Sequence, residues 1–226
     1  MNYLKEAFAL IAGGDAELWQ IIGTTLVMSV CSTGISALVG IPLGVLIGKN
    51  RFPGKGALLR LTNTLMGLPP VLAGLIVFML FRSVGPFGRL RLMFSVPVMV
   101  IAQVLLITPV VTGLCAAAAE ERASLLTETA AGLGLSRPKQ TFLLLRECAG
   151  QFVSVVLMGF GRSIAEVGAV SLVGGNIQFK TRVMTTAILL EANKGDFEKA
   201  LALGILLMAL ALLVNVPAYT LREKLK

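Results

Sequence analysis

The sequence predicts an all-α fold: a polytopic bundle of about five transmembrane helices. Three observations carry this. Hydrophobic residues make up 56% of the chain and charged residues 14%, where a soluble domain carries about 25% charged residues. The charges are unevenly placed, with none in 18–48, 61–81, 92–119 or 200–221. Each of these runs reaches the roughly 20 apolar residues that cross about 30 Å of hydrocarbon, and none alternates apolar and polar as a barrel strand must. A helix satisfies its own backbone hydrogen bonds, which lipid cannot do.

In chain order, residues 1–17 lack a basic n-region, and Glu6, Asp15 and Glu17 precede the first apolar run. They read as an interfacial segment rather than a cleavable signal peptide, with Trp19 near the membrane surface. The first span covers 19–48. Ser29, Ser32, Thr33 and Ser36 give it a stripe of small side chains suited to close helix approach, and Gly40-Ile41-Pro42 lies late in it. The second, 64–83, opens on Met66-Gly67-Leu68-Pro69-Pro70, and Thr108-Pro109 interrupts the third, 94–118. Such breakers serve packing, or they hinge or line a path, which makes Pro69 and Pro70 path candidates. The fourth span, 150–174, ends on Val173-Gly174-Gly175-Asn176, where glycine signals a helix C-cap. Residues 176–199 form a segment on the outer side, with Thr185–Ala192 as a short re-entrant or interfacial helix, too short to span. The fifth span is 200–221.

Lys and Arg counts set the orientation. The face bearing loops 49–63 and 119–149 and the C-terminal tail carries eleven, and the other face carries eight. This favours the N-terminus outside, the C-terminus cytoplasmic and loop 119–149 cytoplasmic. The net charge of +8 is explained by basic residues flanking spans. No basic stripe interleaved with aromatics points to nucleic acid. The three cysteines, Cys31, Cys115 and Cys148, form no C-x-x-C pair, and there is no histidine. A His-ligated metal site and His-based catalysis are therefore not expected, nor is any cofactor. With no internal repeat and no low-complexity linker, the chain reads as one membrane domain over 1–226.

Arg162 and Glu166 are the ions of the fourth span. Four apart on one helix, they share a face and can pair. Ionisable residues within a span usually face the protein interior or a water-filled cavity. Two readings stay open: a self-neutralising pair that fixes packing, or a gate or path element together with Ser163.

Loop 119–149 carries Glu120, Glu121 and Glu128 on a helix continuing from the third span. Gly132 and Gly134 break it, and Ser136-Arg137-Pro138 restarts a second helix, with Ser at the N-cap and Pro in the first turn. A rigid helix–Gly turn–helix knob of this kind suits insertion into a cleft of a partner protein.

The segment resembles the E-A-A-x-x-x-G-x9-I-x-L-P motif of ATP-binding-cassette importer permeases. Glu128 stands at the Glu, Thr129 and Ala130 at the two alanines, Gly134 at the Gly and Leu144 at the Ile. Arg146 and Glu147 replace the Leu and Pro. Gly67 to Leu75, Gly161 to Ala169 and Gly174 to Ile177 are similar to segments of the molybdate, tungstate and sulfate permeases. The likeness covers most of 19–222 and is greatest to the tungstate branch.

That resemblance implies a type I importer permease fold and a homodimer with a central path on its two-fold axis. It implies a multi-pass protein of the cell inner membrane, and a docking set of Glu128, Ala130, Gly132, Gly134 and Ser136 for a cassette ATPase in two copies. It also implies an external substrate-binding protein that delivers the oxyanion, tungstate first, with molybdate, sulfate or another small solute as alternatives. The chain has no G-x-x-x-x-G-K-[ST] loop, so the chain itself is not expected to be an enzyme, and ATP hydrolysis is expected on a separate subunit. An ATP-independent channel or carrier would more often show midplane charges or inverted repeats. A membrane-embedded enzyme would need a catalytic constellation that is not visible here.

Overall fold

A computed structural model describes residues 16–132 and 134–224. The expected interfacial segment 1–17 lies almost wholly outside them. Nine α-helices follow one another among the described residues: α1 (Ala16–Lys49), α2 (Lys55–Met66), α3 (Pro70–Phe81), α4 (Val96–Gly132), α5 (Arg137–Glu147), α6 (Ala149–Ile164), α7 (Gly168–Gly174), α8 (Met184–Lys194) and α9 (Phe197–Lys224). A short 3-10 turn, Gly88–Leu90, precedes α4, and no strand occurs among the described residues.

Three stretches are long and apolar enough to cross a bilayer: α1, the 96–123 part of α4 and the 197–217 part of α9. The pairs α2–α3 and α5–α6 are bent by 97° and 61°, and bring the number to five if each pair is one span.

The second span is therefore not one helix over 64–83. Leu68 and Pro69 each precede a proline, which disfavours helical backbone, so the chain breaks at 67–69 and α3 restarts with Pro70 in its first turn. The basic segment 49–63, expected as a loop, is largely α2. The fourth span is likewise divided, with residues 165–167 separating α6 from α7. In contrast, Thr108-Pro109 does not interrupt α4, which passes through Pro109 unbroken to a length of 37 residues. Pro42 is similarly carried inside α1.

The central pair is α1 against α4. Gly40, Gly44 and Gly48 recur every fourth residue along α1, on one face. A methyl group on Gly44 would lie 2.6 Å from Thr112 O and 2.7 Å from Cys115 Cβ, and one on Gly48 would lie 2.5 Å from Ala116 O. The two backbones touch here because no side chain intervenes, the small-residue contact of membrane helices. Further along α1 the stripe Ser29, Ser32, Thr33 and Ser36 is buried as well. Ser32 Oγ lies 2.9 Å from Ser163 Oγ on α6, and Thr108 on α4 donates to Ser36 at 3.2 Å.

Apolar clusters fill the remainder: Met28, Met99, Leu106, Val170 and Val173 between α1, α4 and α7; Val45, Val111, Leu144 and Phe152 below them; Leu18, Met184 and Leu203 at the end where α1 begins. At that same end Arg182 pairs with Glu17 and donates to Asn176 at 3.3 Å. Buried Glu191 is held by Lys194 at 3.0 Å and Lys199 at 3.5 Å. Burial pushes the Glu191 carboxyl up, but the two lysines outweigh it and hold the group below the usual carboxylate range.

Candidate functional site

Two regions answer to the sequence expectations, one at an end of the bundle and one level with Ser32 in the middle of α1. The first is the knob. α4 continues past its apolar part and ends on Gly132; Leu133 lies outside the described residues. Gly134 takes φ +67°, a left-handed conformation that glycine adopts without steric cost. Ser136 stands at the N-cap of α5 in extended backbone, and Pro138 lies in the first turn. The helix–turn–helix shape is thus the expected one. The Ser136 hydroxyl, however, makes no cap hydrogen bond. Gln140 closes the turn instead, its backbone N–H donating to Ser136 O at 3.0 Å and its side chain to Leu135 O at 2.8 Å. The side chains of Glu128 and Ala130 lie outside the described set, so only their backbone place, in the last turns of α4, is given.

The knob is fixed to the bundle from below. Leu144, at the motif's apolar position, is 1% exposed and packs among Val45, Ala119, Ala123 and Cys148. Lys49 at the end of α1 donates to Arg137 O at 3.3 Å and to the Thr141 hydroxyl. Arg122 pairs with Glu147 at 3.3 Å and Lys55 with Glu120 at 3.0 Å. Glu147, which departs from the proline of the motif, thus has a structural partner. The outer face of α5 stays open, and Phe142 is 69% exposed there. Sequence reasoning passed over Phe142. Its signal was the spacing from Leu144, which on a helix puts two apolar residues on different sides.

The second region surrounds the break between α6 and α7. Arg162 and Glu166 do not pair. α6 stops at Ile164, so the four-residue spacing no longer places both on one helix face. Glu166, 7% exposed, turns to α7, and its Oε1 accepts the Ala169 N–H at 3.1 Å. A carboxylate at a helix N-terminus satisfies an otherwise orphaned donor. The break is pinned from two other helices: Thr185 of α8 donates to Glu166 O at 2.9 Å, and Gln103 of α4 donates to Ser163 O at 3.1 Å. Ser163 itself is fully buried against Ser32 and lies in the interior seam. Pro69 and Pro70 sit at the start of α3, whose first turn packs on α7. A methyl on Gly168 would lie 3.0 Å from Val71 Cγ2 and 3.6 Å from Glu166 Oε1.

Arg162 makes no hydrogen bond or ion pair among the described residues, and its Nε is buried without a partner. It shares a side of α6 with Ser154 and Met158; Met158 is exposed, and Arg162 and Ser154 are half-buried. Toward the knob that side borders a groove of about 560 Å³ against α9, lined by Met158, Asn215 and Tyr219 among others. Among the described residues no group of three or more His, Cys, Asp or Glu side chains could hold a metal ion.

The capping account of Glu166 makes a prediction that an ion pair would not. Glu166→Gln keeps an acceptor for the Ala169 N–H and should change thermal stability in detergent little. Glu166→Ala removes the acceptor and should cost about 1–2 kcal/mol. Equal losses from both substitutions would indicate that the charge, and so a cationic partner, matters instead.

Residues 40–226 match the family model described as binding-protein-dependent transport system inner membrane component. The chain is 34% identical to the tungstate uptake system permease protein of Peptoclostridium acidaminophilum, over 99% of this chain and 100% of the relative. It is also 34% identical to a probable anion ABC transporter permease protein of Haloferax volcanii, over 95% and 96% of the two chains. The tungstate uptake system permease protein of Campylobacter jejuni is a further relative at 34%, over 97% of this chain and 92% of the relative.

Proposed function

We propose that this chain, which belongs to the family of binding-protein-dependent transport system inner membrane components, is the permease subunit of an ATP-driven tungstate importer. The observation that carries the substrate is the near full-length likeness to two tungstate uptake permeases. The family implies a substrate-binding protein and a cassette ATPase as partners. In this reading the chain is one membrane unit that works as a homodimer, with its N-terminus outside and its C-terminus and knob in the cytoplasm. Each knob, 119–149, rests on an ATPase subunit, which alone hydrolyses ATP.

The knob is suited to that task by its construction. Leu144, Lys49 and Arg122 tie it to α1 and α4, so a push on α5 is delivered to the central helix pair rather than absorbed by a loose loop. Glu128, Ala130, Gly132, Gly134 and Ser136 shape the turn, and exposed Phe142 supplies an apolar anchor of the kind that dominates interface energies. Closure of the ATPases moves the knobs together and rocks the packed helices, a known switching repertoire. The proline break at Pro69 and Pro70 and the break at 165–167 are where α3 and α7 can shift against α6. A permease fed by a binding protein need hold the anion only weakly, since tight binding slows release.

The test is reconstitution of the permease in vesicles with its ATPase and binding protein. Tungstate should accumulate with ATP and fail to accumulate without it or without the binding protein. The Haloferax relative, whose name leaves the anion unspecified, supports a second reading as a permease for molybdate, sulfate or another small anion. Accumulation of molybdate or sulfate in place of tungstate in the same vesicles would favour it.

A further inference from the structure

Among the described residues, Arg162 is a guanidinium without an anion inside a candidate membrane span, the bent pair α5–α6. Arg162 lies about 20 Å along α6 from Ala149, by the helical rise, and its neighbour Ser163 meets Ser32 in the middle of α1. It has no hydrogen bond or ion pair among the described residues, and its Nε is buried unpartnered. The acid nearest to it in sequence, Glu166, is held by the Ala169 N–H of α7. A charge on a lipid-facing surface at such depth is costly, and intramembrane cations face a bundle interior or water. The side of α6 that carries Arg162 also carries Met158, one turn away and 59% exposed, so it is left uncovered in the single chain.

We infer that Arg162 is the transient contact for the oxyanion in the path, and that the tether of Glu166 to α7 is what keeps its guanidinium free. This rests on the oxyanion-import reading. Arginine stays charged at any working pH and presents a planar fork of donors that matches two oxygens of a tetrahedral anion. An i, i+4 pair with Glu166 would have cancelled that charge. Capture of the carboxylate by a helix N-terminus removes the competitor without removing the arginine. In a two-fold dimer each protomer brings one such arginine to the path, which suits a dianion and leaves it free to depart.

The test places a reporter beside the arginine. Met158→Cys is made in the full chain with Cys31→Ser, Cys115→Ala and Cys148→Ala. It is labelled in membranes with an anionic and a cationic methanethiosulfonate reagent of similar size. Both reagents should react, and the ratio of anionic to cationic rate should fall about tenfold when Arg162→Gln is added, the effect of one charge a helical turn away in a partly shielded site. Arg162→Lys should keep most of the ratio. Tungstate, but not chloride at equal ionic strength, should slow anionic labelling of the protein that retains Arg162, a comparison that does not depend on how well Arg162→Gln folds. Failure of Met158→Cys to react with either reagent, or an unchanged ratio in Arg162→Gln, overturns the inference.

Vesicle uptake separates this from the broader reading. If tungstate is imported but the ratio ignores Arg162, the arginine assignment alone fails. If no tungstate is imported while the ratio still follows Arg162, the substrate assignment fails and the arginine serves another anion.

Discussion

Gly134→Glu is expected to abolish ATP-driven uptake while leaving the protein in the membrane. Gly134 holds φ +67°, a conformation that costs an L-residue about 1–2 kcal/mol. A Cβ there would meet nothing within 4 Å, so the fold has room for the side chain. The damage is to the shape of the turn and to the charge of the face that meets the ATPase. Loss of about 3 kcal/mol at such an anchor corresponds to docking weakened roughly a hundredfold. Gly134→Asn, which tolerates left-handed backbone, should keep most of the activity. Membrane content by immunoblot and uptake of labelled tungstate read the two effects apart. Normal uptake in Gly134→Glu would remove the docking role from this turn.

The largest loss of stability is expected from Gly44→Leu. A Cβ at this position falls 2.6 Å from a backbone oxygen of α4 and 2.7 Å from Cys115 Cβ, with the Ala116 nitrogen at 3.0 Å. Backbone atoms cannot rotate away as a side chain would, so α1 and α4 must separate along the line set by Gly40, Gly44 and Gly48. Overpacking costs about 1–3 kcal/mol where neighbours can yield, and here they cannot. A loss of about 3 kcal/mol or more lowers the unfolding temperature of a chain of this size by roughly 10 °C. Gly23→Ala, at a position with nothing within 4 Å of a Cβ, is the control and should be close to neutral. Equal unfolding temperatures for the two variants in detergent would show that the α1–α4 contact is not tight.

The long uncharged runs were legible because membrane insertion demands them, and α1, α4 and α9 appear where charges are absent. The helix–Gly turn–helix of the knob was legible from Gly132, Gly134 and Pro138. Its closure was not, because the Ser136 hydroxyl signal is local while the Gln140 side chain that replaces it lies a full turn onward. Helix α2 was obscured by Lys55 and Arg60, which read as loop charges although they sit on a helix. The break before α3 was written in Leu68-Pro69-Pro70, but its 97° bend was not, since prolines mark where a helix stops and not the direction in which the next one leaves. The Arg162–Glu166 pair failed for a similar reason. Spacing predicts a shared face only while the helix continues, and α6 ends at Ile164, where Gln103 takes the Ser163 carbonyl and Thr185 the Glu166 carbonyl just beyond it, both from distant parts of the chain. The GxxxGxxxG line at 40, 44 and 48 was present in the sequence and was passed over in favour of the serine stripe beside it.

The central claim is tungstate import driven through the knob. The most direct measurement is cellular tungsten and molybdenum content by mass spectrometry at trace oxyanion levels. A deletion strain, a complemented strain and a Gly134→Glu strain would be compared. Tungsten should fall in the deletion and Gly134→Glu strains and return on complementation, with molybdenum unchanged. Tungsten content equal in all three strains would contradict the account.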